Sequence, residues 1–249
     1  MEESAYIGGV VAGLAYLIAG ARLYRLSVRT REAPERLLGV TFLVWSFSYF
    51  SWQLPAALEA ASFEAPLLTF GRVTNDIGVV TFALFMRVVF RRQERWALWF
   101  VAAAVACVVG GLAGSVWAGD SEGIRPLGNP SWWLQTVGEV SIFAWTGVEG
   151  LIQRHKSRQR LRLGLCEPMV CNRYLLWGLT GGVWLVYEFA VIVQQIEFEA
   201  TQVWSTSMDS VVGALELSAI ALIWFVFFPP RFYQHWIDRA GSTATIGGD

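Results

Sequence analysis

Apolar residues in this chain come in long unbroken blocks separated by short polar stretches, with no strand-like alternation. Seven blocks stand out, near 5–26, 37–59, 67–90, 96–117, 132–153, 169–193 and 205–228. A helix that crosses a bilayer needs about 20 mostly apolar residues, and each block meets that length. The fourth, WALWFVAAAVACVVGGLAGSVW, is the clearest. The pattern therefore predicts an all-α fold, a seven-transmembrane helix bundle over 1–230. A short cytoplasmic tail over 231–249 follows it. In that tail, RFYQHWIDR after Pro229-Pro230 has an amphipathic pattern, and the Gly/Ser/Thr-rich end is expected to lack fixed structure. The first block begins without the basic stretch that opens a cleaved signal peptide, so it reads as a retained helix.

Charge orients the bundle. Arg29, Arg31 and Arg36 flank the first connector, Arg91, Arg92 and Arg95 the third, and RHKSRQRLR fills the fifth. Glu64, then Asp120 and Glu122, then Glu197 and Glu199 mark the even connectors. Basic residues stay on the cytoplasmic side of a membrane, which predicts an outside N-terminus and an inside C-terminus. Trp96, Trp117, Trp132, Trp133, Trp204 and Trp236 fall at block ends, where interfacial tryptophans gather. Composition agrees with a multi-pass cell-membrane protein: 55% of residues are hydrophobic and 16% charged, against about a quarter charged in a soluble domain. A net charge of −1 gives nucleic acid no electrostatic footprint.

Little in the chain points to catalysis. His155 and His235, the two histidines, lie in or beside polar stretches. Cys107, Cys166 and Cys171 have no metal or disulfide spacing. A zinc site or a Ser-His-Asp centre is hard to assemble from these, so no enzyme activity, catalytic residue or metal is expected.

The informative residues are the ionisable groups inside the blocks. Each costs roughly 2.5–3.5 kcal/mol on insertion scales, so such groups usually face the bundle interior and find partners. Arg72, Asn75 and Asp76 lie in the third block, Glu139 and Glu149 in the fifth, Arg173 and Glu188 in the sixth, and Asp209 and Glu216 in the seventh. Counting along each block puts Arg72, Asp76, Glu139, Glu188 and Asp209 in the outer half and Glu216 near the middle. Arg72, Asn75, Asp76, Glu139, Glu188, Asp209 and Glu216 are the expected internal polar network.

These positions resemble the microbial (type 1) rhodopsins, the seven-helix retinal proteins. Their third helix carries an arginine and, three residues on, a counter-ion carboxylate; here the matching residues are Arg72 and Asn75, with Asp76 next. A tryptophan pair often opens their fifth helix, as Trp132-Trp133 does here. Two tryptophans seven apart wall the retinal in their sixth helix, and Trp177 and Trp184 keep that spacing. Their seventh helix has an aspartate and, four residues on, the lysine that bonds retinal. Asp209 matches the aspartate, but the lysine position is Gly213. The resemblance covers about half the chain.

The departures bear on function. Lys156, the one lysine, lies in the basic fifth connector, so no Schiff base to retinal is expected in the bundle. Asn75 replaces the counter-ion carboxylate, and Met86 stands where proton-pumping members place a proton donor. The resemblance, without the lysine, implies a sensory or receptor-like protein that binds a small apolar ligand non-covalently. Trp177, Thr180, Trp184 and Gly213 are the expected ligand-binding residues, with Trp45, Trp52 and Trp145 adding to an aromatic interior. The alternative is a proton or cation transporter or channel using Asp76, Glu139, Asp209 and Glu216. The expected cofactor set is empty, and the ligand is not identified. Expected partners are the lipid bilayer and a small apolar ligand. A homo-oligomer or a cytoplasmic signalling partner stays open, the latter docking on Arg154 to Arg162; nucleic acid is not expected.

Overall fold

The structure is a computed structural model that describes residues 2–58, 64–117, 127–203 and 205–246. Asp120, Glu122 and Trp204 lie outside the described residues, and the side chain of Glu64 is likewise not described.

The described residues form eight α-helices: α1 (Glu2–Thr30), α2 (Ala33–Leu58), α3 (Glu64–Phe90), α4 (Arg95–Trp117), α5 (Pro130–Arg162), α6 (Pro168–Thr201), α7 (Thr206–Phe227) and α8 (Arg231–Ile246). Local chemistry sets several boundaries. Arg31 closes α1 with φ 59, and its amide donates to the Ser27 carbonyl over 2.8 Å. That is a left-handed helix cap formed without glycine. Asn129 caps α5: its Oδ1 accepts from the Ser131 amide at 2.9 Å, and Pro130 opens the helix, where no amide hydrogen is needed. Pro168 opens α6 in the same way. Pro229-Pro230 stands between α7 and α8, where a chain cannot continue a helix unbroken.

Among the described residues, five helical segments are long and apolar enough to cross a membrane: Gly9–Thr30, Pro66–Phe90, Arg95–Trp117, Pro168–Thr201 and Thr206–Phe227. The sequence pattern predicts seven. The two not among them are α2 and α5. The side chains of α2 are described only as far as Trp52, so its apolar stretch counts only in part. α5, with 33 residues, is long enough but carries Gln135, Glu139, Glu149 and a basic end from Arg154. α5 and the 34-residue α6 also run well beyond their apolar blocks, each to about 50 Å at 1.5 Å per residue.

Burial follows the logic of a lipid solvent. Thr41, Ser46, Ser48, Thr146 and Thr180 are fully buried, whereas Trp99, Val116, Val137, Val186 and Phe189 are exposed. In water so many large exposed apolar side chains would be an association liability; facing hydrocarbon, they are the expected surface.

The helices form two compact units. Unit one comprises 1–142 and 187–214, and unit two 143–186 and 215–249. Within unit one, α1 packs on α2, α2 on α3, and α3 on α4. Small residues let the backbones approach: a Cβ on Gly39 would lie 2.7 Å from the Tyr24 amide nitrogen, and one on Gly111 2.7 Å from the Ser131 carbonyl. Polar side chains join α2 to α3. The Thr41 and Thr81 hydroxyls meet at 2.9 Å, Ser48 donates to the Gly71 carbonyl at 2.7 Å, and the Trp45 indole to the Asn75 carbonyl at 3.3 Å. Each leaves fewer polar groups for lipid to face.

Unit two is built on the closest helix contact described. A Cβ on Gly150 of α5 would lie 2.7 Å from the Gly178 Cα of α6, and one on Gly181 2.7 Å from the Gly147 Cα. Glycines thus recur on both helices where the backbones touch, the small-residue packing favoured between membrane helices. Phe143 and Trp184 rings meet at 5.0 Å between centroids, and Trp177 lies edge-on to Phe227 at 5.9 Å.

Candidate functional site

The polar cluster of unit one grows from α3 and the outer part of α5. Asn75 and Asp76 are consecutive on α3, so they point in different directions around the helix. Gln135 and Glu139 are four apart on α5 and share a face. Gln135 spans the gap: its Nε2 donates to Asp76 Oδ1 at 2.7 Å and to Glu139 Oε1 at 3.2 Å. Asn75 Nδ2 donates to the same Glu139 oxygen at 3.3 Å. Two carboxylates on different helices are thus held by two carboxamides, one from each helix. Asp76 is 3% exposed and Gln135 9%, so these bonds form away from water.

Glu188 of α6, also buried, lies within electrostatic reach of Glu139. One further turn and a half along α6, the Gln194 amide donates to the Asp209 carboxylate of α7. Asp209 thereby joins α7 to α6 in unit one. Glu199, near the end of α6, accepts from the Leu127 amide and ties down the approach to α5.

The expected network is therefore placed as follows. Asn75, Asp76 and Glu139 come together directly, through Gln135, with Glu188 near Glu139. Asp209 is bonded to Gln194. Arg72 is half-buried on α3, one turn before Asp76. Glu216 is buried in unit two. Gln135 and Gln194 complete the arrangement, yet neither is among the residues that the charge pattern selects. The available signal is spacing: Gln135 precedes Glu139 by four residues.

The expected ligand-binding residues divide between the units. Trp177, Thr180 and Trp184 belong to unit two, where the tryptophans pack on Phe227 and Phe143. The Thr180 hydroxyl is fully buried and donates to the Leu176 carbonyl of its own helix at 2.8 Å. Gly213 belongs to unit one, and a Cβ built on it meets nothing within 4 Å. Room is present at the position where the resemblance places a lysine chain.

Elsewhere in unit two, Gln153 donates to the buried Glu149 carboxylate at 2.6 Å. The three cysteines are free, and among the described residues no three His, Cys, Asp or Glu side chains gather as a metal site requires. Searches for similar proteins give no matching family model, no matching curated protein and no matching solved structure.

Proposed function

We propose that this chain is a multi-pass cell-membrane protein of rhodopsin-like, seven-helix architecture that binds a small apolar or amphipathic ligand non-covalently, in a sensory or receptor-like role. Its N-terminus is outside and its C-terminus inside. The observation that carries this reading is the buried Asp76–Gln135–Glu139–Asn75 cluster, together with the open space at Gly213. The cluster is a set of oriented donors and acceptors carried on apolar helices, and a few placed polar groups among apolar ones are what a small-ligand site uses. Gly213 stands one turn beyond Asp209 on the same helix face, so its free volume continues the polar line of α7. α2 and α5 count as spans in this reading. Their polar residues bond to neighbouring helices, which lowers the cost that composition alone assigns them.

The test is to purify the protein from its native membrane and identify what co-purifies by absorbance and mass spectrometry. A compound is expected with the native chain. It is expected to be lost in Gly213→Leu and retained in Gly182→Leu, which also enters open space. Failure of any compound to co-purify, or its full retention in Gly213→Leu, contradicts the reading.

A second reading, a proton or cation transporter, is favoured by one observation: Asp76 and Glu139, on different helices, are joined through the one Gln135 carboxamide. Closely spaced acids are the usual parts of an intramembrane proton relay. Proteoliposomes with an internal pH dye separate the two. Acidification that Glu139→Gln abolishes supports transport, and a flat trace removes it.

A further inference from the structure

The surface of α8 divides into sectors of different chemistry, and their order has a physical meaning. Successive helix residues advance about 100°, so residues four apart fall in line. Tyr233 and Ile237 form the docked sector. Tyr233 accepts from the Asn172 amide at 2.8 Å and packs on Phe225 at 4.9 Å between ring centroids, and Ile237 is buried. Next round the helix come Phe232 and Trp236, which are 71% and 63% exposed. Beyond them lie Arg231, His235 and Arg239, all exposed. Gln234, its amide donating to the Pro229 carbonyl at 2.9 Å, and the Asp238 position four residues on share the remaining side of the helix. Travelling round α8, one meets protein, then exposed aromatics, then a basic stripe.

The level of α8 along unit two is also fixed. Tyr233 is bonded to Asn172, and the neighbouring Cys171 thiol faces the Arg154 carbonyl at 3.9 Å. Arg154 is the residue at which the apolar part of α5 gives way to its basic end, and Arg173, beside Asn172, is exposed. α8 therefore docks at the height where apolar helix surface stops and arginine begins.

We propose that α8 lies along the membrane–water interface as an anionic-lipid-binding helix. Phe232 and Trp236 enter the boundary between headgroups and acyl chains, and Arg231, His235 and Arg239 line the headgroup phosphates. This rests on the chain being membrane-embedded, but not on any ligand or transport function. Three observations select a lipid surface over water or a second protein. Two large aromatics side by side are a poor surface for water, while amphipathic aromatic rings are favoured at this depth. The adjoining stripe carries positive charge that complements lipid phosphate. The sectors also follow the order that a helix beside a bundle in the interfacial plane requires, from protein through lipid to headgroup.

The experiment uses the full chain in nanodiscs of phosphatidylcholine, alone or mixed with phosphatidylglycerol. Spin labels are attached at Phe232→Cys, His235→Cys, Trp236→Cys and Arg239→Cys, with Cys107, Cys166 and Cys171 replaced by serine. Labels at 232 and 236 should be relaxed severalfold more by oxygen than by a water-soluble nickel chelate, at a depth of about 5–10 Å. Labels at 235 and 239 should show the reverse preference. Phosphatidylglycerol should deepen 236, and Arg231→Gln with Arg239→Gln should abolish that deepening. Nickel access at 232 and 236 equal to that at 235 would place α8 in water and overturn the proposal. Shielding of 232 and 236 from both reagents would mean protein covers them and would overturn it equally. Depth that does not respond to anionic lipid or to the arginine substitutions contradicts the phosphate contact. The native chain supplies a check free of substitutions: an acyl-chain diazirine lipid should photolabel the 232–236 peptide, and labelling of α4 without it counts against the proposal.

Discussion

Gln135 is the residue on which the unit-one cluster turns, since one carboxamide joins Asp76 of α3 to Glu139 of its own helix. Removing a buried donor leaves its acceptor with a desolvation penalty of about 1–3 kcal/mol. Gln135→Leu is therefore expected to destabilise the protein by about that amount, read as a lower melting temperature in detergent. Asp76→Leu combined with Gln135→Leu should cost less than the sum of the single changes; strict additivity would show that the two side chains do not depend on each other. At this scale the sequence is partly legible. Asp76, Glu139 and Glu188 stand out because a carboxylate in an apolar block is costly enough to demand a reason. Gln135 and Gln194 escape notice because a carboxamide scarcely marks a hydropathy pattern, although it is the group that completes a carboxylate's hydrogen bonds. The spacing of Trp177 and Trp184 is equally legible, but their contacts with Phe227 and Phe143 depend on helices far apart in sequence. Gly213 provides a test of the rhodopsin resemblance. The native chain should form no reducible imine with retinal inside the bundle, whereas Gly213→Lys should be labelled at 213 after borohydride treatment. Labelling of the native chain at a membrane-embedded site would contradict the reading.

Among the elements, α5 and α6 of unit two show how closely two membrane helices can pack. Gly150 and Gly181 lie directly against the backbones of Gly178 and Gly147. Association in lipid relies on such contact and on polar bonds, because burying apolar surface from lipid gains little. Gly150→Leu is expected to force the helices apart at a cost of about 1–3 kcal/mol. On α6, Gly182→Leu enters open space and should stay within about 0.5 kcal/mol of the native chain. Thermal unfolding of both variants in detergent measures the contrast, and equal melting points would contradict this packing. Helix existence is well marked in the sequence, since each apolar block coincides with a helix. Helix ends are less so. α5 continues through RHKSRQRLR and α6 through Gln194 to Thr201, because polar helix formers extend a helix beyond the apolar block.

For the molecule as a whole, the central proposal is that seven helices cross the bilayer. Among the described residues five segments qualify by length and composition, and the seven-span account adds α2 and α5. Hydropathy treats every polar residue as though lipid met it. Thr41, Ser48 and Gln135 instead meet partners on neighbouring helices, which no linear profile represents. Arginine-rich and acidic connectors alternate along the chain, and the seven-span proposal follows that alternation in counting both added helices as spans. Reporter insertion at four positions decides the matter: Arg31 and Ala61 flank α2, and Gly123 and Ser157, the latter in the basic end of α5 beyond Arg154, bracket the apolar part of α5. The account predicts that Arg31 and Ser157 report the cytoplasm and that Ala61 and Gly123 report the outside. If Gly123 and Ser157 report the same side, α5 does not cross and the seven-span bundle is contradicted; a shared side for Arg31 and Ala61 does the same for α2.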